Sequence, residues 1–276
     1  MTEATAGQVQ RYILEGSDEE LRRLLSVSEV TAGAARRAFG RAGVAPGWAA
    51  IDCGCGPIGA LAVLSEMVGP GGRVVGVDAS ELAVTRARSA AAALQLGNTE
   101  VVAGDIHRLD PAVLGGPFDL AFTRLFLMHQ ADPVLTLRAI ARLVRPGGWI
   151  ILHEPLRDPP PRSHPQLDAL SVYWGLLHRL LEQAGVPRGA VEGLPFAARA
   201  AGLETAWTDG FFILGEPELS FEVHASTLAA SRQAAVQGGV AAQTIDDVIS
   251  ALRAGKAGGY EWVSTPFFLD LALRKP

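Results

Sequence analysis

Ile51-Asp52-Cys53-Gly54-Cys55-Gly56-Pro57-Ile58-Gly59 constrains this chain more than any other stretch. Apolar residues lead up to Ile51. Glycines at 54, 56 and 59 then let the backbone turn sharply and lie against a ligand where a side chain would collide. The pattern predicts a strand entering a ligand-holding turn. Pro57 suits the first turn of a following helix, which Leu61, Ala62, Val63, Leu64 and Met67 continue. The bare G-x-G-x-x-G spacing also marks nicotinamide and flavin sites. Asp52 shifts the balance, because a carboxylate at the strand end repels a pyrophosphate and attracts a cationic ligand.

Downstream, the same alternation repeats. Arg73–Val77 reads as a short buried strand ending at Asp78, whose carboxylate suits the two hydroxyls of a ribose. Ser80 caps a helix over 81–94, with Leu82, Val84, Ala87, Ala91 and Leu94 on its buried side. A third strand, Thr99–Ala103, runs into Gly104-Asp105-Ile106, where Asp105 can accept from an exocyclic amine and Ile106 can pack on a ring, although a capped loop explains the pair as well. A fourth strand, Phe118–Phe122, is followed by Thr123-Arg124, and Asp132-Pro133 opens a helix running to Val144. Arg145-Pro146-Gly147-Gly148 then turns into a fifth strand, Trp149–His153. Five strands alternating with helices predict a doubly wound parallel sheet with its ligand beyond the carboxyl ends of the strands. Asp52, Asp78, Asp105, Thr123 and Glu154 all fall at such ends. S-adenosylmethionine (SAM), with an ammonium and a sulfonium beside its ribose and adenine, fits this set of groups.

Composition narrows the partners. With 276 residues, the chain can bury a full core. Net charge is −5 without a basic cluster, which argues against a nucleic acid and for a small-molecule partner. No apolar run approaches the length of a membrane span, and the first residues lack the layout of a signal peptide, so a cytoplasmic location is expected. The two cysteines, Cys53 and Cys55, have no further Cys or clustered His beside them, so no metal site is expected, and a bridge across two residues would be strained.

On these motifs the sequence resembles the class I SAM-dependent methyltransferases, in particular the group similar to ubiquinone and menaquinone biosynthesis methyltransferases and natural-product tailoring enzymes. The likeness covers roughly residues 48 to 154: Asp52-Cys53-Gly54-Cys55-Gly56, Val77-Asp78, Gly104-Asp105-Ile106, Phe118-Asp119 and Arg145-Pro146-Gly147-Gly148. The resemblance implies SAM as cofactor and S-adenosylhomocysteine as product. It places Asp52, Gly54, Cys55 and Gly56 at the methionine end, Asp78 with Ala79 at the ribose, Asp105 and Ile106 at the adenine, and Thr123 and Arg124 near the carboxylate and sulfonium. It also implies a Rossmann-like, seven-stranded sheet, mostly parallel with the last strand antiparallel. Ile58 departs from the small residue common there.

The flanks read as additions to that core. Residues 1–45 form a helical arm or lid, on which Tyr12 could close over the ligand, and 46–276 form the SAM-binding domain with cap insertions at about 157–192 and 217–256. Leu170, Tyr173, Trp174, Leu177, His178 and Leu181 share one helical face, as a substrate lid or as plain packing. The second insertion reads as a helical pair, completing the pocket or forming a homo-oligomer interface. Methyl transfer needs alignment and water exclusion more than covalent catalysis. Candidate bases at the right end of the sheet are His129, the first choice, with His153 and Glu154. The acceptor is expected to be small and aromatic or lipophilic, methylated on oxygen, nitrogen or carbon. Two alternatives share much of the pattern: a SAM-binding protein without methyl transfer, and an NAD(P)-dependent oxidoreductase, which leaves Asp52 and Gly104-Asp105-Ile106 unexplained.

Overall fold

The computed structural model describes residues 18–276 apart from residue 188. Helix α1 (Asp18–Ala42) leads to β1 (Ala49–Cys53), α2 (Leu61–Val68), β2 (Arg73–Asp78), α3 (Glu81–Ala93), β3 (Thr99–Ala103) and β4 (Phe118–Arg124). A 3-10 turn at Leu127–His129 precedes α4 (Pro133–Leu143) and β5 (Val144–Pro155). Then follow β6 (Ser163–His164), α5 (Asp168–Gln183), α6 (Leu194–Ala200), β7 (Glu204–Phe211), β8 (Leu214–Gly215), α7 (Pro217–Ala230), α8 (Arg232–Gln237), α9 (Ala242–Gly255), β9 (Trp262–Ser264) and β10 (Phe268–Arg274).

Seven strands form one sheet in the order β3-β2-β1-β4-β5-β10-β7. The strands from β3 to β5 run parallel, and β10 lies antiparallel between β5 and β7. The chain therefore reverses its direction of progress across the sheet between β1 and β4, which is where open α/β sheets leave a crevice for ligands. Apolar side chains cover both faces, as parallel strands require. Alternation along β5 sends Ile150 and Leu152 to the face covered by α4 and α6, and Ile151 to the face where Phe39 of α1 meets Phe122 edge-on at 5.0 Å.

Helix α1 buries Val27, Thr31, Ala34, Ala35, Ala38, Phe39 and Ala42, a three-and-four spacing that lays one stripe onto the domain. The segments on either side of β7 share a further core, where Tyr173 and Trp174 of α5 pack with Phe221 and Leu228 of α7 and Ile245 and Leu252 of α9. A small antiparallel sheet, β6-β9-β8, joins them at the edge. Among the described residues, no helix is long and apolar enough to cross a membrane.

Several element boundaries differ from the sequence expectation. The helix after the glycine turn starts at Leu61 rather than Pro57, because Gly54, Gly56 and Gly59 all hold positive φ and Ala60 is its first capping residue. The second insertion holds three helices instead of two, since the chain breaks at Ser231 and again at Gly238-Gly239. The last extended stretch is split into β9 and β10 by Thr265-Pro266-Phe267, where Thr265 bonds back to Ile213 in both directions.

Candidate active site

Main-chain groups, two carboxylates and two side chains that donate to Gly59 hold the glycine turn. Gly54 and Cys55 both donate to the Val77 carbonyl, at 2.8 and 3.0 Å, which pins the turn to the end of β2. Asp78 spans the same junction: Oδ2 accepts from the Gly56 N–H at 2.8 Å and Oδ1 from the Ser80 N–H at 2.9 Å. A carboxylate offers about four acceptor positions, so these bonds leave capacity for hydroxyl donors. Ala79 is exposed beside it. Gly104 donates to the Asp78 carbonyl, bringing the β3 end alongside.

Asp52 lies beneath the turn. Its Oδ2 accepts from the Ala60 N–H at 2.7 Å and fills the place where a Cβ on Gly59 would stand. Burial pushes its pKa up to about 6, opposed by that N–H and by the charge of Arg124. Arg124, the last residue of β4, reaches the Gly59 carbonyl at 3.1 Å and the Thr31 hydroxyl of α1, and burial pulls its pKa down to about 10. Ser28 of α1 donates to the same Gly59 carbonyl at 2.6 Å. The helix and the turn are thereby tied through one peptide. Above Gly54 lies the ring of Phe126, so close that a Cβ there would fall inside it, while a Cβ on Gly56 would meet only Leu24, in ordinary contact at 3.9 Å.

Asp105 accepts from the His107 N–H at 3.0 Å and pairs with Arg108 at 3.6 Å, shaping the loop that carries it. Ile106 is buried in the core beside Cys53 and Val77. The Cys55 thiol is buried, which pushes its pKa well up and leaves it unreactive. Thr123 is buried with its hydroxyl unpartnered among the described residues. Tyr12 lies outside the described residues.

A cavity of about 120 Å³ opens beyond the ends of β4 and β5, under α1, α5 and α7. Val27 and Thr31 of α1, Leu125 and Met128 after β4, and Trp174 and Leu177 of α5 give it a mainly apolar wall. Arg23, 5% exposed, and Arg157, bonded to Glu182 at 3.0 Å and to the Val186 carbonyl at 2.8 Å, supply its charge. His129 stands in the wall, its pKa lowered to about 4 by burial and by Arg23, so it is neutral at physiological pH.

The other two candidate bases are placed elsewhere. His153 points to the opposite face of β5 from Glu154, between the rings of Phe122 and Phe211 at 5.1 and 5.0 Å, with Nε2 3.6 Å from Asp270. It is a fully buried core residue away from the cavity wall, held neutral by burial. Glu154 spends its carboxylate on the turn after β4, accepting from the N–H groups of Phe126 and Leu127 at 2.9 and 2.8 Å and from Met128 at 3.4 Å. Burial pushes its pKa up to about 7. It braces the residues that face both the glycine turn and the cavity. Arg23, Arg157 and His224, which also line the cavity, escaped the sequence reading. They sit on α1, beyond β5 and on α7, outside any motif.

Fold and glycine turn together define a Rossmann-like nucleotide-binding domain of the class I methyltransferase kind. A methyltransferase-domain family model matches residues 45–185, and the chain belongs to that family. The nocamycin O-methyltransferase of Saccharothrix syringae is 38% identical over 127 residues, covering 46% of this chain and 44% of that protein. The demethylmenaquinone methyltransferase of Bacillus cereus is 33% identical over 111 residues, 40% of this chain and 46% of its own. Each match thus spans less than half of the curated relative. A solved phosphoethanolamine N-methyltransferase from Haemonchus contortus, in complex with phosphomonomethylethanolamine and S-adenosylhomocysteine, shares the fold at a TM-score of 0.58 and 14% identity, over 98% of this chain and 61% of that one.

Proposed function

We propose that this chain transfers a methyl group from SAM to a small, apolar or aromatic acceptor held in the cavity under α1, α5 and α7. The observation that carries this proposal is a shared wall: Thr31 lines the cavity and bonds Arg124, which bonds the Gly59 carbonyl of the glycine turn. A cofactor on the turn and an acceptor in the cavity are thereby neighbours. The donor set fits the cofactor, with a half-buried glycine backbone at Gly56, a carboxylate at the β2 end for ribose hydroxyls and a second carboxylate under the turn for an ammonium. Asp105 and Ile106 stand at the next strand end for the adenine. Bound there, SAM supplies an electrophilic methyl on a sulfonium.

The chain's own groups have three tasks. Gly54, Gly56 and Asp78 fix position, so that donor and acceptor meet in line. The apolar wall keeps water from competing. His129, neutral and in the cavity wall, is the one of the three candidate bases that lines the cavity. The curated relatives named above act on small molecules by their names, in keeping with an acceptor of that size.

The test is calorimetric titration with SAM and S-adenosylhomocysteine, with NADH as control, followed by an acceptor screen using labelled methyl. Micromolar binding of both sulfur ligands, weakened by Asp78→Ala, is expected. Binding of NADH in their place overturns the proposal.

A further inference from the structure

Among the described residues that line the cavity, one has a buried side-chain nitrogen without a hydrogen-bond partner. His224, on α7, is 1% exposed and lines the cavity. Its Nε2 lies 3.1 Å from the Ser264 carbonyl oxygen. A carbonyl can only accept, so Nε2 carries the hydrogen. Burial lowers the ring's pKa to about 4, so the imidazole is neutral and Nδ1 holds a free lone pair. That Nδ1 is buried and unpartnered among the described residues. The Thr227 hydroxyl donates to the Val223 carbonyl at 2.6 Å, the Tyr173 hydroxyl is hydrogen-bonded to Thr227, and the Tyr173 ring lies 5.1 Å from that of His224 between centroids. Native proteins rarely leave a buried acceptor unmatched, and each exception asks for an explanation; beside a cavity, a bound group is one.

The rest of the wall restricts what that group can be. An ionised carboxylate offers no hydrogen and is repelled by the lone pair. A cationic ammonium would enter a wall that holds Arg23 and Arg157 and, among the described residues, no aspartate or glutamate. A neutral donor on an apolar body satisfies both conditions. At neutral pH a phenol or enol O–H is such a donor, whereas an aliphatic amine is charged. The cavity volume of about 120 Å³ is on the scale of one aromatic ring.

Building on the proposed methyltransferase function, we propose that His224 is a specificity-determining residue. Its Nδ1 accepts a hydrogen bond from the O–H of a neutral phenol- or enol-class methyl acceptor.

The test uses the full chain saturated with S-adenosylhomocysteine and a pair of one-ring probes, phenol and anisole, which differ by the hydroxyl hydrogen. Wild type is expected to bind phenol about tenfold more tightly than anisole. In His224→Phe the two should bind within about twofold of each other, with S-adenosylhomocysteine affinity unchanged. No preference for phenol in wild type, or a preference that survives His224→Phe, overturns the assignment. If the variant does not fold, ring-15N-labelled histidine in wild type decides. Phenol must shift the Nδ1 resonance of the buried Nε2–H tautomer and anisole must not; the absence of that shift overturns it. Should S-adenosylhomocysteine fail to bind wild type, the methyltransferase function falls by itself, and the same probe pair on the protein alone still decides on His224.

Discussion

Around the glycine turn the main chain of β2 and carboxylates at strand ends hold the backbone, with Ser28 and Arg124 adding bonds to the one carbonyl of Gly59. Around the acceptor cavity the wall is made of side chains from α1, the turn after β4, α5 and α7, spread from Arg23 to Phe268. The first region is specified by backbone shape, which tolerates few residue types at a few positions. The second is specified by volume and by a few polar atoms, which many sequences can supply. Glu154 stands at the joint, because the backbone it holds carries Phe126 over Gly54 and Met128 and His129 into the cavity wall.

The largest effect should come from breaking the backbone geometry. Gly59 has φ +52, and a Cβ there would strike Asp52 Oδ2 and lie 2.7 Å from the Cys55 carbonyl. Gly59→Ala should therefore lower stability by about 4 kcal/mol in urea unfolding. Gly47, at φ +91 with open space around it, serves as control and should lose only about 1 kcal/mol as alanine. Equal losses at the two positions would mean that the turn is not held by Asp52.

At the joint the effect depends on pH. The Glu154 pKa is raised from 4.5 to about 7, so its contribution to stability is present below pH 4.5 and is lost as pH rises through 7. The window is worth about 3 kcal/mol. His129 and His224 have pKa values lowered from 6.5 to about 4, so their contribution is lost in the opposite sense, as pH falls from 6.5 towards 4. Wild type thus sums opposing slopes, to which Asp52, raised from 3.8 to about 6, adds in the same sense as Glu154, while the difference between Glu154→Gln and wild type isolates the carboxyl group. The variant should gain about 3 kcal/mol relative to wild type between pH 4.5 and pH 8. A pH-independent difference would show that Glu154 titrates normally.

On the cofactor side alone, Asp78→Asn keeps the shape but removes the charge that strengthens hydrogen bonds to hydroxyls. A loss of about 2 kcal/mol, or roughly thirtyfold in S-adenosylhomocysteine affinity, is expected by calorimetry. Unchanged affinity would remove the ribose from Asp78.

The same division explains what could be read from the chain. Asp132 and Ser80 cap α4 and α3 as expected, each accepting from an N–H three residues on, because capping is decided within one turn. The doubly wound parallel sheet followed from the repeated alternation of strand and helix. The late start of α2 did not, since the groups that delay it are Asp52 below the turn and the positive φ of its glycines. Nor could the sequence tell Glu154 from His153. Adjacent on β5, they are separated by strand pleating and by what α1 and the turn after β4 bring to each face. His224 was out of reach for a different reason: its significance depends on a carbonyl forty residues away and on a cavity that exists only once α1, α5 and α7 have met.

The smallest effect should come from a swap in the cavity wall that keeps its volume. Leu177 is part of the apolar wall, in contact with the cap core but with no role in the turn. Replacing it by methionine exchanges a branched side chain for a flexible one of similar size, so stability should fall by less than about 1.5 kcal/mol. S-adenosylhomocysteine affinity should stay within about twofold, since none of the main-chain bonds around Gly54 to Ala60 involves α5. Phenol affinity in the saturated protein should change by up to about fivefold, a shift of about 1 kcal/mol that reflects contact with the ring. If cofactor affinity moved as much as phenol affinity, the two regions would be coupled through more than Thr31 and Arg124. The path would then run through the Glu154-held turn, where Met128 faces the same cavity as Leu177, and Glu154→Gln should show the same coupled loss at pH 8.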